Sequence, residues 1–324
     1  MRRTLFTWIG GTVLAIVLLS LAYAGLFGPG GKSIGFEEFL IEPDDSLAEV
    51  SEALASRGLI RNTFGFSIAY TGMAGTIETY PGGYELSTAM DAWTVAKILS
   101  GPPKLAWVRI PEGYRKEQIA ELLVKTLGWT EEERERWVTV DTETPENEKE
   151  GVYFPDIYLI PTDQSTAEVA ARLKERFMHE TKLLREEAIA SGINWQEALV
   201  IASLIERESN GRDDQELIAG IIRNRLEENM PLGIDATLQY IRGEKGAWWP
   251  TPQSEDKYLE SPYNTYFRAG LPPYPIANPS LESIAAAIRP SSTSCLYYLH
   301  DYDGEIHCST NYRAHVANVN RYLK

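Results

Sequence analysis

The chain has 324 residues, 44% hydrophobic and 24% charged, enough apolar matter for more than one core. A net charge of −15 excludes nucleic-acid binding, which needs a basic footprint. Two cysteines and four histidines are too sparse for a zinc framework, so neither a metal nor another cofactor is expected.

Residues 4–27 carry no charge, enough for one bilayer-spanning helix. Arg2 and Arg3 precede that run and place the N-terminus in the cytoplasm and the rest outside. The rival is a cleaved signal peptide, with Ala22-Tyr23-Ala24 as its A-x-A site. The length of the run favours a retained anchor.

Beyond the anchor, Glu37 to Ile41 reads as a short strand. Pro43-Asp44-Asp45-Ser46 starts a helix on which Leu47, Val50 and Leu54 keep helical spacing, and Gly58 closes it. A second helix is expected from Asn62 to Tyr70, a turn and strand over Tyr80–Leu86, and a helix over "DAWTVAKILSG". "LAWVRI" is a strand ended by Pro111-Glu112-Gly113, and Thr130 with Glu133 forms a capping box for a charged helix. Thr144 to Gly151 reads as a surface loop, and one long amphipathic helix is expected from Ser165 to Ala190, closed by Gly192.

The stretch "ALVIASLIERESN" (Ala198–Asn210) is apolar and then turns charged. Asn194 caps this helix, Glu197 sits at its third position, and Asn210-Gly211 stops it. At about 100° per residue, Glu206 and Glu208 point to different sides, each above apolar residues. Desolvation raises a carboxylate's pKa, as a general acid near neutrality requires. The bland alternative is that both glutamates cap solvated ends or pair with Arg207 or Arg212.

A further amphipathic helix carries Leu217, Ile218, Ile221, Ile222 and Leu226 on one face. Asp235 precedes "ATLQYI", either as that helix's cap or as a site residue. The run from Ser261 to Ser291 is rich in Tyr, Asn, Gly and Pro and suits a rigid sugar-binding loop, with Asn278 and Pro279 as cap and first residue of the next helix. "CLYYLHDYDGEIHCST" reads as a hairpin around Asp303-Gly304, with Tyr297 and Tyr298 assigned to the core.

Together "IPEGY", "GVYFPDIYLI", "ASLIERES", "IIRNRLEENMPLGIDATLQY", "SPYNTYFRAGLPPYPIANPSLESIAAAIRPS" and "CSTNYRAH" resemble the MltG (YceG-like) endolytic murein transglycosylases, in that family's order. The resemblance implies an α+β chain of three parts: an N-terminal transmembrane anchor (1–30), a small LysM-like α+β module (31–104) and a larger α+β catalytic domain (105–324). It implies a single-pass enzyme of the cytoplasmic (inner) membrane acting outside the cytoplasm on peptidoglycan glycan strands, with peptidoglycan synthases as a candidate partner class. Glu208 takes the place of the family's catalytic glutamate. Glu206, Asp235, Thr237, Asn264 and Tyr266 carry over as candidate substrate-binding residues. The chain departs from the pattern at Gly233, where glutamine is usual, at Tyr274 (glycine), at Cys308 (phenylalanine) and at Val316 (asparagine).

The implied chemistry needs one carboxyl group. Glu208 protonates the oxygen between N-acetylmuramic acid and N-acetylglucosamine, then takes the proton from the muramoyl 6-hydroxyl as a 1,6-anhydro ring closes. A muramidase-type hydrolase would need a second carboxylate, for which Asp235 is the candidate. A noncatalytic wall-binding protein is the remaining rival. Cys295 and Cys308 fall on opposite hairpin strands. Pairing 295 with 310 and 297 with 308 makes them diagonal neighbours, so two free, largely buried thiols are expected.

Overall fold

The computed structural model describes residues 2–143, 150–211 and 213–324, with side chains from residue 11 onward. Most of the expected Thr144–Gly151 loop lies outside the described residues, as does Arg212. The chain divides into two compact units, one of Met1–Val108 with Tyr158–Asp163 and the other of Arg109–Ile157 with Gln164–Lys324.

The first unit opens with α1 (Arg2–Phe27). β1 (Glu37–Ile41), α2 (Leu47–Ser56), α3 (Thr63–Ala74), β2 (Gly82–Leu86), α4 (Ala92–Leu99) and β3 (Leu105–Arg109) follow in order. These strands and β4 (Ile157–Pro161) form one sheet in the order β1-β2-β3-β4. Local chemistry explains the helix ends. The Ser46 hydroxyl accepts from Glu49 N–H, and the Glu49 carboxylate accepts from Ser46 N–H at 2.8 Å, closing a capping box at α2. Asn62 caps α3, which runs four residues past the expected Tyr70 because Gly75 supplies the left-handed exit at φ 69°. In the antiparallel β1–β2 pair Phe39 faces Tyr84. Phe39 and Ile41 point from alternate positions of β1 into a core with Val50, Leu54, Phe66, Tyr70, Leu86, Val95 and Leu99.

Among the described residues, no single helix is long and apolar enough to cross a membrane; the described apolar part of α1 is Gly11–Phe27. Most of its side chains lie open, with Val13 55% and Leu19 70% exposed, while Phe27 at its end packs against the core.

The second unit holds α5 (Lys116–Leu127) and α6 (Glu131–Arg136), which continues into a π-helical turn at Trp137–Asp141. The Thr130–Glu133 capping box forms as expected. The expected single helix from Ser165 to Ala190 is two, α7 (Thr166–Glu180) and α8 (Lys182–Ala190). The break falls at Thr181, which is buried and whose hydroxyl donates to Phe177 O at 2.6 Å, so the side chain competes for the backbone acceptor of the preceding turn. Next come α9 (Trp195–Glu208), α10 (Gln215–Glu227) and α11 (Asp235–Arg242). A 3₁₀ turn (Ser254–Tyr258), α12 (Leu281–Ile288), β5 (Tyr297–His300), β6 (Ile306–Ser309) and α13 (Tyr312–Tyr322) complete the unit. The mixed α+β class is as expected; α5 and α13 were not anticipated.

Two further expectations are corrected. The cap of α12 is Ser280, not Asn278. Asn278 lies outside the helix, where its amide accepts from Tyr153 N–H and donates to Glu150 and Tyr114 O. The cysteines are not free: Cys295 and Cys308 form a disulfide with Cα atoms 5.8 Å apart. The observed hairpin pairs Tyr298 with Cys308 and Tyr297 with Ser309, one residue off the expected register. Leu296 N–H also donates to Ser309 O, so two residues entering β5 sit opposite one residue of β6. That local bulge carries Cys295 back within bonding reach of Cys308.

Candidate active site

Helix α9 positions the two glutamates. Asn194 Oδ1 accepts from Gln196 N–H and Glu197 N–H, and Ala198, Leu199, Ala202, Ser203, Leu204 and Ile205 are buried. Its last turn therefore emerges from a packed body. The cap residue Ser209 is extended at φ −73°, ψ 145°, so the helix stops just past Glu208.

Glu208 retains some accessible surface as a residue, but its carboxyl group is closely surrounded. The Tyr298 hydroxyl donates to Glu208 Oε2 at 2.7 Å, and Ala236 N–H at the start of α11 also reaches the carboxylate. Burial pushes the Glu208 carboxyl above the usual carboxylate range. Tyr298 opposes that shift by stabilising the charged form, the nearby Asp235 charge adds to it, and Ala236 N–H and His300 oppose it. The Tyr298 phenol is itself pushed well above its ordinary value by burial, then by the Glu208 charge, so it stays a donor.

Tyr298 was expected to fill core and instead reaches this carboxylate. The signal was present in the sequence: Tyr298 and His300 are two apart on a strand and so share a face. His300 Nε2 lies 2.6 Å from Asp214 Oδ2, and the His300 ring meets the Tyr298 ring edge-on. Asp214 also accepts from Asn210 N–H at 3.0 Å, which ties the segment after α9 to the start of α10.

Asp235 is the first residue of α11 and does not cap it; Ile234 holds the cap position. Its exposed carboxylate accepts from Tyr266 OH at 2.6 Å. Glu208, Asp235 and Tyr266 are thus brought together with Tyr298. Burial raises the Tyr266 phenol, and the Asp235 and Glu208 charges raise it further.

The other sequence candidates sit in the supporting structure. Thr237 is buried, donates to Ile234 O at 2.7 Å and lies 3.0 Å from Thr265 Oγ1. Asn264 is 1% exposed; its amide donates to Asp256 O, Lys257 O and Leu259 O and accepts from Tyr266 N–H at 3.0 Å. Asn264 thereby shapes the loop that presents Tyr266. Gly233, at φ 57°, occupies a left-handed position where an added Cβ would lie 3.5 Å from the Tyr266 ring.

Glu206 faces away from this group. Its Oε2 accepts from Ser280 N–H (2.9 Å), Ser280 Oγ (2.7 Å) and Ser283 Oγ (2.8 Å), at the N-terminus of α12. A carboxylate is favoured there by the unpaired N–H groups and the helix dipole. Among the described residues neither glutamate forms an ion pair with Arg207.

The model of the YceG-like family matches residues 39–321. An endolytic murein transglycosylase of Streptococcus pneumoniae is 26% identical over 318 residues, covering 87% of this chain. The chain spans 58% of that relative's length. An endolytic murein transglycosylase of Bacillus subtilis is 26% identical over 310 residues, covering 87% of this chain and 84% of the relative. A crystal structure of a YceG-like protein from Listeria monocytogenes is similar at a TM-score of 0.60 and 26% identity, covering 88% of this chain and 99% of that one. With the family pattern running from β1 to the last turn of α13, the chain belongs to the YceG-like family.

Proposed function

We propose that this chain is an endolytic peptidoglycan lytic transglycosylase with Glu208 as its catalytic residue. The observation that carries the reading is the single desolvated carboxyl group at the end of α9, held by Tyr298 and Ala236 N–H. Burial favours the protonated form, so Glu208 can give its proton to the glycosidic oxygen between muramoyl and glucosaminyl residues. The positive centre left at muramoyl C1 is then attacked by that sugar's own 6-hydroxyl. Glu208, now charged and supported by the Tyr298 hydroxyl, accepts the 6-hydroxyl proton, and the 1,6-anhydro ring closes. One residue serves as acid and then base, and no water is consumed. Asp235 and Tyr266 stand beside it as candidate contacts for the sugar's acetamido and hydroxyl groups. The likeness to two relatives named for this activity supports the assignment.

The same proposal extends to location. An open apolar helix after Arg2 and Arg3 supports a membrane anchor, with the rest of the chain outside the cytoplasm. The β1-α2-α3-β2 order and a cleft of about 620 Å³ lined by Pro43–Ala48, Ile77–Thr79 and Pro81 support reading residues 31–104 as a LysM-like wall-binding module. Residues 105–324 would then form the catalytic domain, and peptidoglycan synthases, which supply nascent strands, are the partner class.

The test is the mass of the products from purified peptidoglycan. Anhydro-muramoyl ends are expected. Reducing ends would instead indicate a hydrolase using Glu208 and Asp235, and an undigested substrate would indicate a binding protein.

A further inference from the structure

Arg207 lies between the two glutamates in sequence and feels both of their charges, but among the described residues it forms an ion pair or hydrogen bond with neither. Its guanidinium carbon sits 4.0 Å from the Trp249 ring centroid, and the residue is half-buried. Its Nε is buried without a hydrogen-bond partner, and among the described residues no carboxylate or carbonyl accepts from the group. The neighbouring carboxylates are engaged elsewhere, Glu206 with Ser280 and Ser283, Glu208 with Tyr298. A buried, unsatisfied donor on a full charge is costly, so such a group calls for an explanation.

The surroundings hold the guanidinium in place without satisfying it. Trp249 is fixed from behind, its Nε1 donating to Gln118 Oε1 at 2.7 Å. Gly113, in the left-handed region at φ 72°, lets the backbone lie close to the guanidinium; an added Cβ there would meet an Arg207 terminal nitrogen at 3.3 Å. A ring face and a close backbone thus orient a planar cation whose terminal N–H groups, unlike the buried Nε, can reach a ligand.

We propose that Arg207 is the seat for a carboxylate carried by the substrate's muramoyl residue. This inference rests on the reading of the substrate as peptidoglycan. Arg207 is adjacent in sequence to Glu208, and the muramoyl sugar whose bond is broken carries at C3 a lactyl ether. That ether ends in a carboxylate on a bare strand and is extended by the carboxylates of a stem peptide on a dressed one. A guanidinium suits either source through charge-assisted hydrogen bonds. On this view Arg207 sets specificity by orienting the muramoyl residue, and Glu208 performs the chemistry.

The experiment measures Kd for glycan fragments in a Glu208→Gln background, where nothing is cleaved, with and without Arg207→Gln, and kcat/KM with Glu208 intact. The fragments are peptide-bearing, amidase-stripped, or stripped and then amidated at the lactyl carboxyl. Thermal melts check that each variant is folded. We expect Arg207→Gln to weaken binding and lower kcat/KM about tenfold or more on carboxylate-bearing fragments and by less than about twofold on amidated ones. Arg207→Lys should recover part of the loss. An effect on peptide-bearing fragments alone assigns the seat to a stem carboxylate, one on stripped fragments alone assigns it to the lactyl carboxylate, and one on both shows that the seat takes either. Equal losses on charged and amidated fragments, or no loss on either, would overturn the proposal. Should no fragment be cleaved by the intact protein while Arg207-dependent binding remains, the seat stands and the transglycosylase reading falls.

Discussion

At the scale of single residues, Glu208 and Tyr298 make the sharpest predictions. Glu208→Gln keeps the size of the side chain and removes the exchangeable proton. We expect a folded protein with nearly all activity lost, measured as release of anhydro products. The acid must be protonated to act, so activity should fall as pH rises through the raised Glu208 pKa. Tyr298→Phe deletes a hydrogen bond that lowers that pKa. The descending limb of the pH–rate profile should therefore move to higher pH while the maximal rate falls. The groups facing Glu208 are Arg207 on its own helix, Asp235, Tyr266, and Tyr298 and His300 of β5; an unshifted limb would show that Tyr298 only fills space. Glu150 makes a second pH prediction. It is 2% exposed, accepts from Lys116 N–H and Asn278 Nδ2, and is pushed up to about 8, first by burial and then by the Glu117 charge. Between the ordinary value of 4.5 and about 8 the folded protein keeps a proton that the unfolded chain releases. Stability is then lost as pH rises through that window, by up to about 1.4 kcal/mol per pH unit. Glu150→Gln should flatten this slope in melts recorded from pH 5 to pH 8.

At the scale of elements, many helix starts were legible from local caps, though Ser280 at α12 and Asn311 at α13 were missed. Ser46, Asn62, Asp91, Thr130, Ser165 and Asn194 all cap helices. The break at Thr181 was not legible, because threonine is only mildly unfavourable in a helix and its bond to Phe177 O forms once the turn is buried. Hairpin register escaped for a related reason: the bulge at Leu296 inserts one residue without any glycine or proline to mark it. Two predictions belong here. Glu206→Gln weakens three charge-assisted bonds at the start of α12 and should cost about 1–3 kcal/mol in denaturant melts, with less effect on the chemical step than Glu208→Gln. The disulfide closes a loop with a sequence separation of 13, and its loss should cost about 3 kcal/mol. Because Cys308 pairs directly with Tyr298, replacing both cysteines by serine should also loosen the strand that reaches Glu208, and activity should drop more steeply on warming than in the disulfide-bonded protein.

At the scale of the whole molecule, deletion of residues 2–31 should release the protein from the membrane fraction, whereas a chain already soluble and starting near Gly25 would point to a cleaved leader. Family membership, the α+β class and the α9 glutamates were readable from the sequence, because motif order, hydrophobic period and capping chemistry are properties of neighbouring residues. What Glu206 and Glu208 each touch was decided only by tertiary structure. Both stand at the end of one apolar helix, and nothing local distinguishes them. The difference comes from partners far along the chain: Ser280 and Ser283 take Glu206, Tyr298 takes Glu208, and Arg207 between them is left with a tryptophan face. Burial and long-range hydrogen bonding set proton affinity, and those arise only when α9, α12 and the terminal hairpin are packed together.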